Sequence, residues 1–147
     1  MTERRRHFID EAGQALVEFA LVLPVLLLLI LGLFDVARAV WQENTLAYAA
    51  REGTRYAIVH GSASGSPAAP GNTAAVESVV RSAAVGVANI TVTVSWPDSV
   101  GLTPCTDRGC RVIVDATAPF VPLPSQYLTN GALQVTLRGG SMLVIQR

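Results

Sequence analysis

GQALVEFALVLPVLLLLILGLF, residues 13–34, places one carboxylate, Glu18, at the head of an otherwise uncharged apolar run. The sixteen residues from Phe19 to Phe34 carry no formal charge, and counting back to Ala15 gives twenty with Glu18 as the single ionisable group. As a helix, twenty residues reach about 30 Å, the thickness of a bilayer's hydrocarbon core. A charged side chain in such a segment costs about 2.5–3.5 kcal/mol at the centre and less toward the interface, so an acid kept there calls for a cationic partner. Pro24 removes a backbone donor and crowds the carbonyl of Ala20, which predicts a kink that a membrane helix tolerates when its neighbours satisfy the freed carbonyl.

The flanks give this segment a direction. Residues 1–13 form a short charged leader with Arg4, Arg5 and Arg6, whereas the far flank carries Asp35 before Arg38. The positive-inside bias then holds the leader in the cytoplasm and puts everything after about residue 35 outside the inner membrane of a bacterium, in an oxidising space. The helical pattern continues to about Val59, so that one helix covers 14–59 and is membrane-embedded to about 34. Phe34, Trp41 and Tyr48 recur at seven-residue spacing with Ala37, Thr45 and Ala49 on the same side. This seam is expected to pack against the sheet of the outer domain; a stripe that binds a partner is the alternative. Gly53 weakens the helix by up to about 1 kcal/mol relative to Ala.

Residues 60–71 hold small residues and helix breakers and are read as a flexible loop ahead of an α+β domain over 72–147. Val76, Val79, Val80, Ala83, Ala84 and Val87 follow the helical template, with Asn72 or Thr73 as the N-cap. Ile90 to Trp96 alternates strictly and predicts a strand with Ile90, Val92, Val94 and Trp96 on its inner face. A second strand runs from Arg111 to Thr117, stopped by Val-Pro-Leu-Pro from Val121. Leu133 to Arg138 alternates again, with Leu133, Val135 and Leu137 on one face, and Gly139-Gly140 separates it from the apolar stretch Met142 to Ile145. The expected fold is α+β, a three- to four-stranded antiparallel sheet on the long helix and a second short one.

Several function classes lack support in the sequence. The chain has eleven Arg, no Lys and eleven acidic residues, and no basic patch interleaved with aromatics, so nucleic acid is not an expected partner. His60 is the single histidine outside the leader, and no phosphate-cradling loop follows a strand. Asp98, Asp107 and Asp115 are scattered over turns and a strand, where capping or solvent exposure accounts for them. No enzyme, metal or cofactor is expected. Cys105 and Cys110, in a short polar stretch within an oxidising compartment, are read as a structural disulfide worth about 2 kcal/mol. A zinc site would lack ligands, and the spacing is not that of a Cys-x-x-Cys redox pair.

Gly13, Glu18 and Phe19 at the head of the apolar helix resemble the cleavage region of type IV prepilins. Residues 13–29, GQALVEFALVLPVLLLL, followed by AAREGTRYA at 49–57, resemble the TadE-like pseudopilins of tight-adherence (Tad, type IVc) pilus systems. The resemblance implies a type IV pilin-like fold and cutting by prepilin peptidase between Gly13 and Gln14. It also implies assembly with other pilin-like subunits on a pilus platform. It supplies the missing cation as well: the new α-amine of Gln14 can meet Glu18 of its own chain or of a neighbour and set subunit register. Two other readings of residues 1–40 are an uncleaved signal anchor and a signal peptide cut after Ala39; neither accounts for the position of Glu18. A membrane-anchored binding domain that never polymerises is the functional alternative.

Overall fold

The computed structural model describes residues 3–98 and 103–146, and side chains from residue 13 onward. The side chains of Arg4, Arg5, Arg6 and His7, and the linker residues 99–102, lie outside the described residues. Helix α1 spans Glu3–Val59 and runs helical through Pro24. It is followed by α2 (Ala74–Ala83), β1 (Thr91–Ser95), β2 (Arg111–Phe120), α3 (Leu123–Leu128) and β3 (Val135–Val144). The three strands form one antiparallel sheet in the order β1-β2-β3, so each strand pairs with its neighbour in sequence. The α+β arrangement read from the sequence is therefore present.

One face of the sheet is covered by α1 and α2. From β2, Val112, Val114, Ala116 and Ala118 are buried, and from α2, Val76 and Val80. Ile90 and Trp96 flank β1 and are buried on the same side, as the alternation predicted. Each fully buried Val or Leu contributes about 1.5–3 kcal/mol relative to exposure. The outer face is polar in part: Thr91, Thr93 and Ser95 are exposed on β1, and Asp115 pairs with Arg138 at 2.8 Å across β2 and β3. Thr73 occupies the N-cap of α2, and its hydroxyl donates to the Glu77 carboxylate at 2.7 Å.

The structure corrects the sequence reading at β3. Gly139-Gly140 does not end a strand, because β3 is one ten-residue strand paired with β2 along its whole length, Ala116 opposite Gly139 and Asp115 opposite Gly140. Close approach explains both glycines. A Cβ at Gly139 would fall on the backbone of Leu46 and Ala47 in α1, and one at Gly140 would meet the Asp115 carboxylate. Leu133 and Val135, expected to face the core, are exposed, and Leu133 precedes the strand; Leu137 alone of the three packs on the core. β2 also runs past Thr117 to Phe120. Its Pro119 pairs with Thr136 beyond the end of β1, where a partner lies on one side only and a missing N–H is tolerated.

Val-Pro-Leu-Pro does more than stop β2. Pro122 is the N-cap of α3 and a second proline lies in its first turn, where the absent N–H costs nothing. The buried Ser125 hydroxyl ties the helix to the chain beyond it, donating to the Leu133 carbonyl at 3.0 Å and accepting from the Leu133 N–H at 2.9 Å. Cys105 and Cys110 are joined in a disulfide with Cα atoms 5.9 Å apart. Its loop meets residues 60–71: Ser62 donates from its N–H to the Thr106 carbonyl at 3.0 Å and from its hydroxyl to Asp107 at 2.6 Å.

Candidate functional site

Helix α1 divides into two chemically distinct halves. From Leu16 to Phe34 its large apolar side chains are exposed around the whole circumference, Leu21, Leu29 and Leu33 among them. A helix apolar all round belongs in a membrane or in the core of a larger assembly. Among the described residues it is the one helix long and apolar enough to cross a membrane, and its most apolar window contains no buried residue.

From Leu46 to Ala57 the pattern changes to small residues. Leu46, Ala49, Ala50, Gly53, Thr54 and Ala57 are buried, at the i, i+3, i+4, i+7, i+8, i+11 positions of one helix face. Their small size lets the helix backbone sit directly on the sheet at Gly139. A Cβ at Gly53 would strike Val80 and crowd Val114 at 3.3 Å, so the glycine is a packing position for α2 and β2. The buried Thr54 hydroxyl donates to the Ala50 carbonyl at 2.7 Å, which leaves no polar atom unsatisfied there. Arg51, Glu52 and Arg55 point away from this face, with Arg55 and Glu52 paired at 3.1 Å.

This division overturns the expectation for the three aromatics of the seam, while Ala49 from the same seam is buried in the core. Phe34 is 62 %, Trp41 54 % and Tyr48 54 % exposed. The seven-residue spacing tracked the largest side chains, whereas the face in contact is built from the smallest. Trp41 lies over Gly86, beyond α2, and Phe34 and Tyr48 stand on the outside of the helix.

At the N-terminal end of the apolar run, Gly13, Gln14 and Glu18 are all exposed, and nothing lies within 4 Å of a Cβ built at Gly13. Gln14 and Glu18 are four residues apart and share one helix face. Glu18 borders a shallow groove with Ala15, Phe19 and Val22, and no described residue pairs with its carboxylate.

A further polar contact joins α1 to α3. Asp35, 7 % exposed at the end of the apolar run, accepts from Arg38 at 2.9 Å and from the Leu123 N–H at 2.8 Å. It therefore caps α3 from 88 residues away in sequence and fastens it to α1. Arg38 also lies 5.3 Å from the Phe120 ring centroid, a cation–π contact. Nothing local marks Asp35 as a cap, because its amide partner comes from a distant segment. Beside it, a cleft of about 380 Å³ is lined by Arg38, Gln42, Asn89, Phe120, Gln126 and Asn130, with no acid–base pair among the residues lining it.

Asp98, Arg111 and His60 have structural partners. Arg111 donates to Asp98 through its side chain at 2.5 Å and its backbone N–H at 2.7 Å, and these bonds hold the Asp98 carboxyl below its usual pKa. His60 stacks on Tyr56 with ring centroids 3.9 Å apart and is bonded through Nδ1 to the Tyr56 carbonyl. Among the described residues no group of His, Cys, Asp and Glu is placed to hold a metal.

Comparison with curated proteins and with solved structures finds no match to this chain. A family comparison does find one: residues 13–55, which hold Gly13, Glu18, the exposed apolar half of α1 and the small-residue face as far as Thr54, match the model of the TadE-like protein family.

Proposed function

We propose that this chain is a pilin-like structural subunit of a Tad-type pilus, made as a precursor and cut by prepilin peptidase between Gly13 and Gln14. The observation that carries the reading is the family match over residues 13–55, which coincides with a helix that exposes apolar surface on every side and holds one unpartnered carboxylate at its head. Before cleavage Glu18 has a Gln14 amide four residues away. Cleavage would create an α-amine at Gln14, charged at neutral pH with a pKa near 8 in water. That amine answers the cost of an isolated carboxylate in an apolar bundle, within one chain or between neighbours, where it sets axial register.

In this reading the chain crosses the inner membrane once over about residues 15–34, bends at Pro24, keeps its leader in the cytoplasm and presents its α+β domain outside. Its partners are the peptidase, other pilin-like subunits, the assembly platform and membrane lipid. Its role is assembly rather than catalysis. The exposed aromatic stripe of Phe34, Trp41 and Tyr48 then becomes surface available to neighbouring subunits.

The mass of the mature chain tests the proposal. A chain beginning at Gln14 supports it, one beginning at Met1 supports an uncleaved anchor, and one beginning at Val40 supports a signal peptide. Glu18→Ala should leave membrane insertion intact and reduce recovery of the subunit in sheared pili; normal recovery would rule out the register role of Glu18. A domain that is never recovered with pili, even in its native form, is a tethered binding module instead.

A further inference from the structure

Helix α3 sits where no soluble element is expected, beside the last turns of the apolar run. Leu28 and Leu31 of α1 form one wall of a hollow of about 270 Å³, and Leu123, Pro124, Tyr127 and Leu128 of α3 form the other. The Asp35 carboxylate holds this arrangement by accepting the Leu123 N–H. Leu31 and Leu28 precede Phe34 by three and six residues, which places them about 4.5 and 9 Å inside the end of the uncharged run. An element facing them shares their depth.

The surroundings of α3 suit that depth. From Ala116 to Leu137 the chain contains no charged residue. Tyr127 is 80 % and Leu128 76 % exposed, and Leu133 in the following turn is exposed as well. The polar Ser125 is turned inward and bonded to Thr129 and Leu133, and Gln126 and Asn130 line the polar cleft beside Arg38, so the side facing Leu28 and Leu31 is left to Leu123, Pro124, Tyr127 and Leu128. Interfacial helices bury their apolar face about 5–10 Å into the boundary between headgroups and acyl chains, and Tyr is enriched at that level.

We infer that α3 and the turn to Leu133 form a second membrane contact, dipping into the leaflet at the Phe34 end of α1 with lipid acyl chains filling the hollow. Continuity with the apolar surface of α1 favours lipid as the occupant. The inference rests on the membrane reading of residues 15–34 given above, and the two can fail separately. Its consequence is that the domain lies against the bilayer, held to it by α1 and by α3.

Depth-dependent quenching in the full chain provides the test. The chain is reconstituted in phosphatidylcholine vesicles with nitroxide-labelled lipid, and an environment-sensitive fluorophore is attached at Leu128→Cys, Tyr127→Cys, Leu29→Cys or Thr93→Cys, one at a time. The native cysteines are closed in their disulfide and do not react. The expected result is about twofold quenching at Leu29, Leu128 and Tyr127, with little at Thr93 on the outer sheet face. Quenching at Leu29 without quenching at Leu128 and Tyr127 overturns the second contact and leaves the span intact. A blue-shifted but unquenched label at Leu128 also overturns it, since a second copy of the chain then covers α3. No quenching at Leu29 removes the membrane reading and this inference together.

Discussion

The two halves of α1 are one continuous helix with opposite uses of side-chain size. Between Leu16 and Phe34 the side chains are large and exposed on all sides; between Leu46 and Ala57 the side chains in contact are mostly Ala, Gly and Thr, and they are buried. Large apolar side chains suit a solvent of lipid, which needs no shape complementarity. Small ones suit a sheet that must come within backbone distance. Hydrophobicity alone thus misleads about which half is packed: the more apolar half touches little, and the less apolar half carries the core.

The sharpest way to break that contrast is to remove equal volume from each half. Leu46→Ala should destabilise the domain by about 3–4 kcal/mol, because Leu46 is fully buried, whereas Leu29→Ala should change domain stability by less than about 0.5 kcal/mol. Urea unfolding of the full chain in detergent micelles, followed by near-UV circular dichroism, measures both. Comparable losses would mean that the apolar half packs on the domain after all.

Adding volume attacks the same seam from the sheet. Gly139→Val should cost about 2–3 kcal/mol, since its side chain would displace the backbone of α1 rather than a flexible side chain. The same valine at Gly13, which faces open space, should leave domain unfolding unchanged. Between the two halves, Asp35→Ala should cost about 1–2 kcal/mol by leaving the Leu123 N–H without its cap. The loss should be local, read as faster hydrogen exchange in α3 than in β2; uniform acceleration would show that Asp35 supports the whole domain.

The smallest effect lies away from α1. Arg111 holds the Asp98 carboxyl below its usual value of 3.8, so the folded state binds this proton less readily than the unfolded chain does. The pair's contribution is complete above the unfolded pKa and is lost as pH falls through the folded one, below about pH 4. NMR titration of Asp98 should show the depressed midpoint, and Arg111→Gln should return it toward 3.8. An unchanged midpoint in the variant would assign the depression to another cause.

Much of this was legible in the sequence, where side-chain periodicity and burial coincide. The apolar run, the Val76 and Val80 face of α2, the alternation from Ile90 to Trp96 and the inward valines of β2 all follow that rule. The exceptions share one cause, contacts that arrive from elsewhere in the chain. Gly139-Gly140 reads locally as a break, yet α1 and Asp115 occupy the space where side chains would be. Pro122 and Pro124 do stop β2, at Phe120, but that α3 starts there is not legible, because its first N–H is capped by the distant Asp35. Asp35 reads as the flank of an apolar run until its amide partner, 88 residues on, is in view. For the candidate site, the order of Gly13, Gln14 and Glu18 is in the sequence; the outward orientation of the aromatic stripe is not, because only the sheet decides which face of α1 is taken.

An unbroken helix from Gln14 to the small-residue face also fixes an angle. Each residue of α1 turns the chain by about 100° and advances it by about 1.5 Å, so the direction in which Glu18 points and the direction in which the domain hangs are linked by the count of residues between them. Inserting one alanine after Val40 would turn the core-bearing half of α1 by about 100° relative to residues 13–40 and break the Asp35–Leu123 and Arg38–Phe120 contacts that hold the present angle. The number of residues between Glu18 and Leu46 thus acts as a phase setting, and the two contacts from Asp35 and Arg38 lock it.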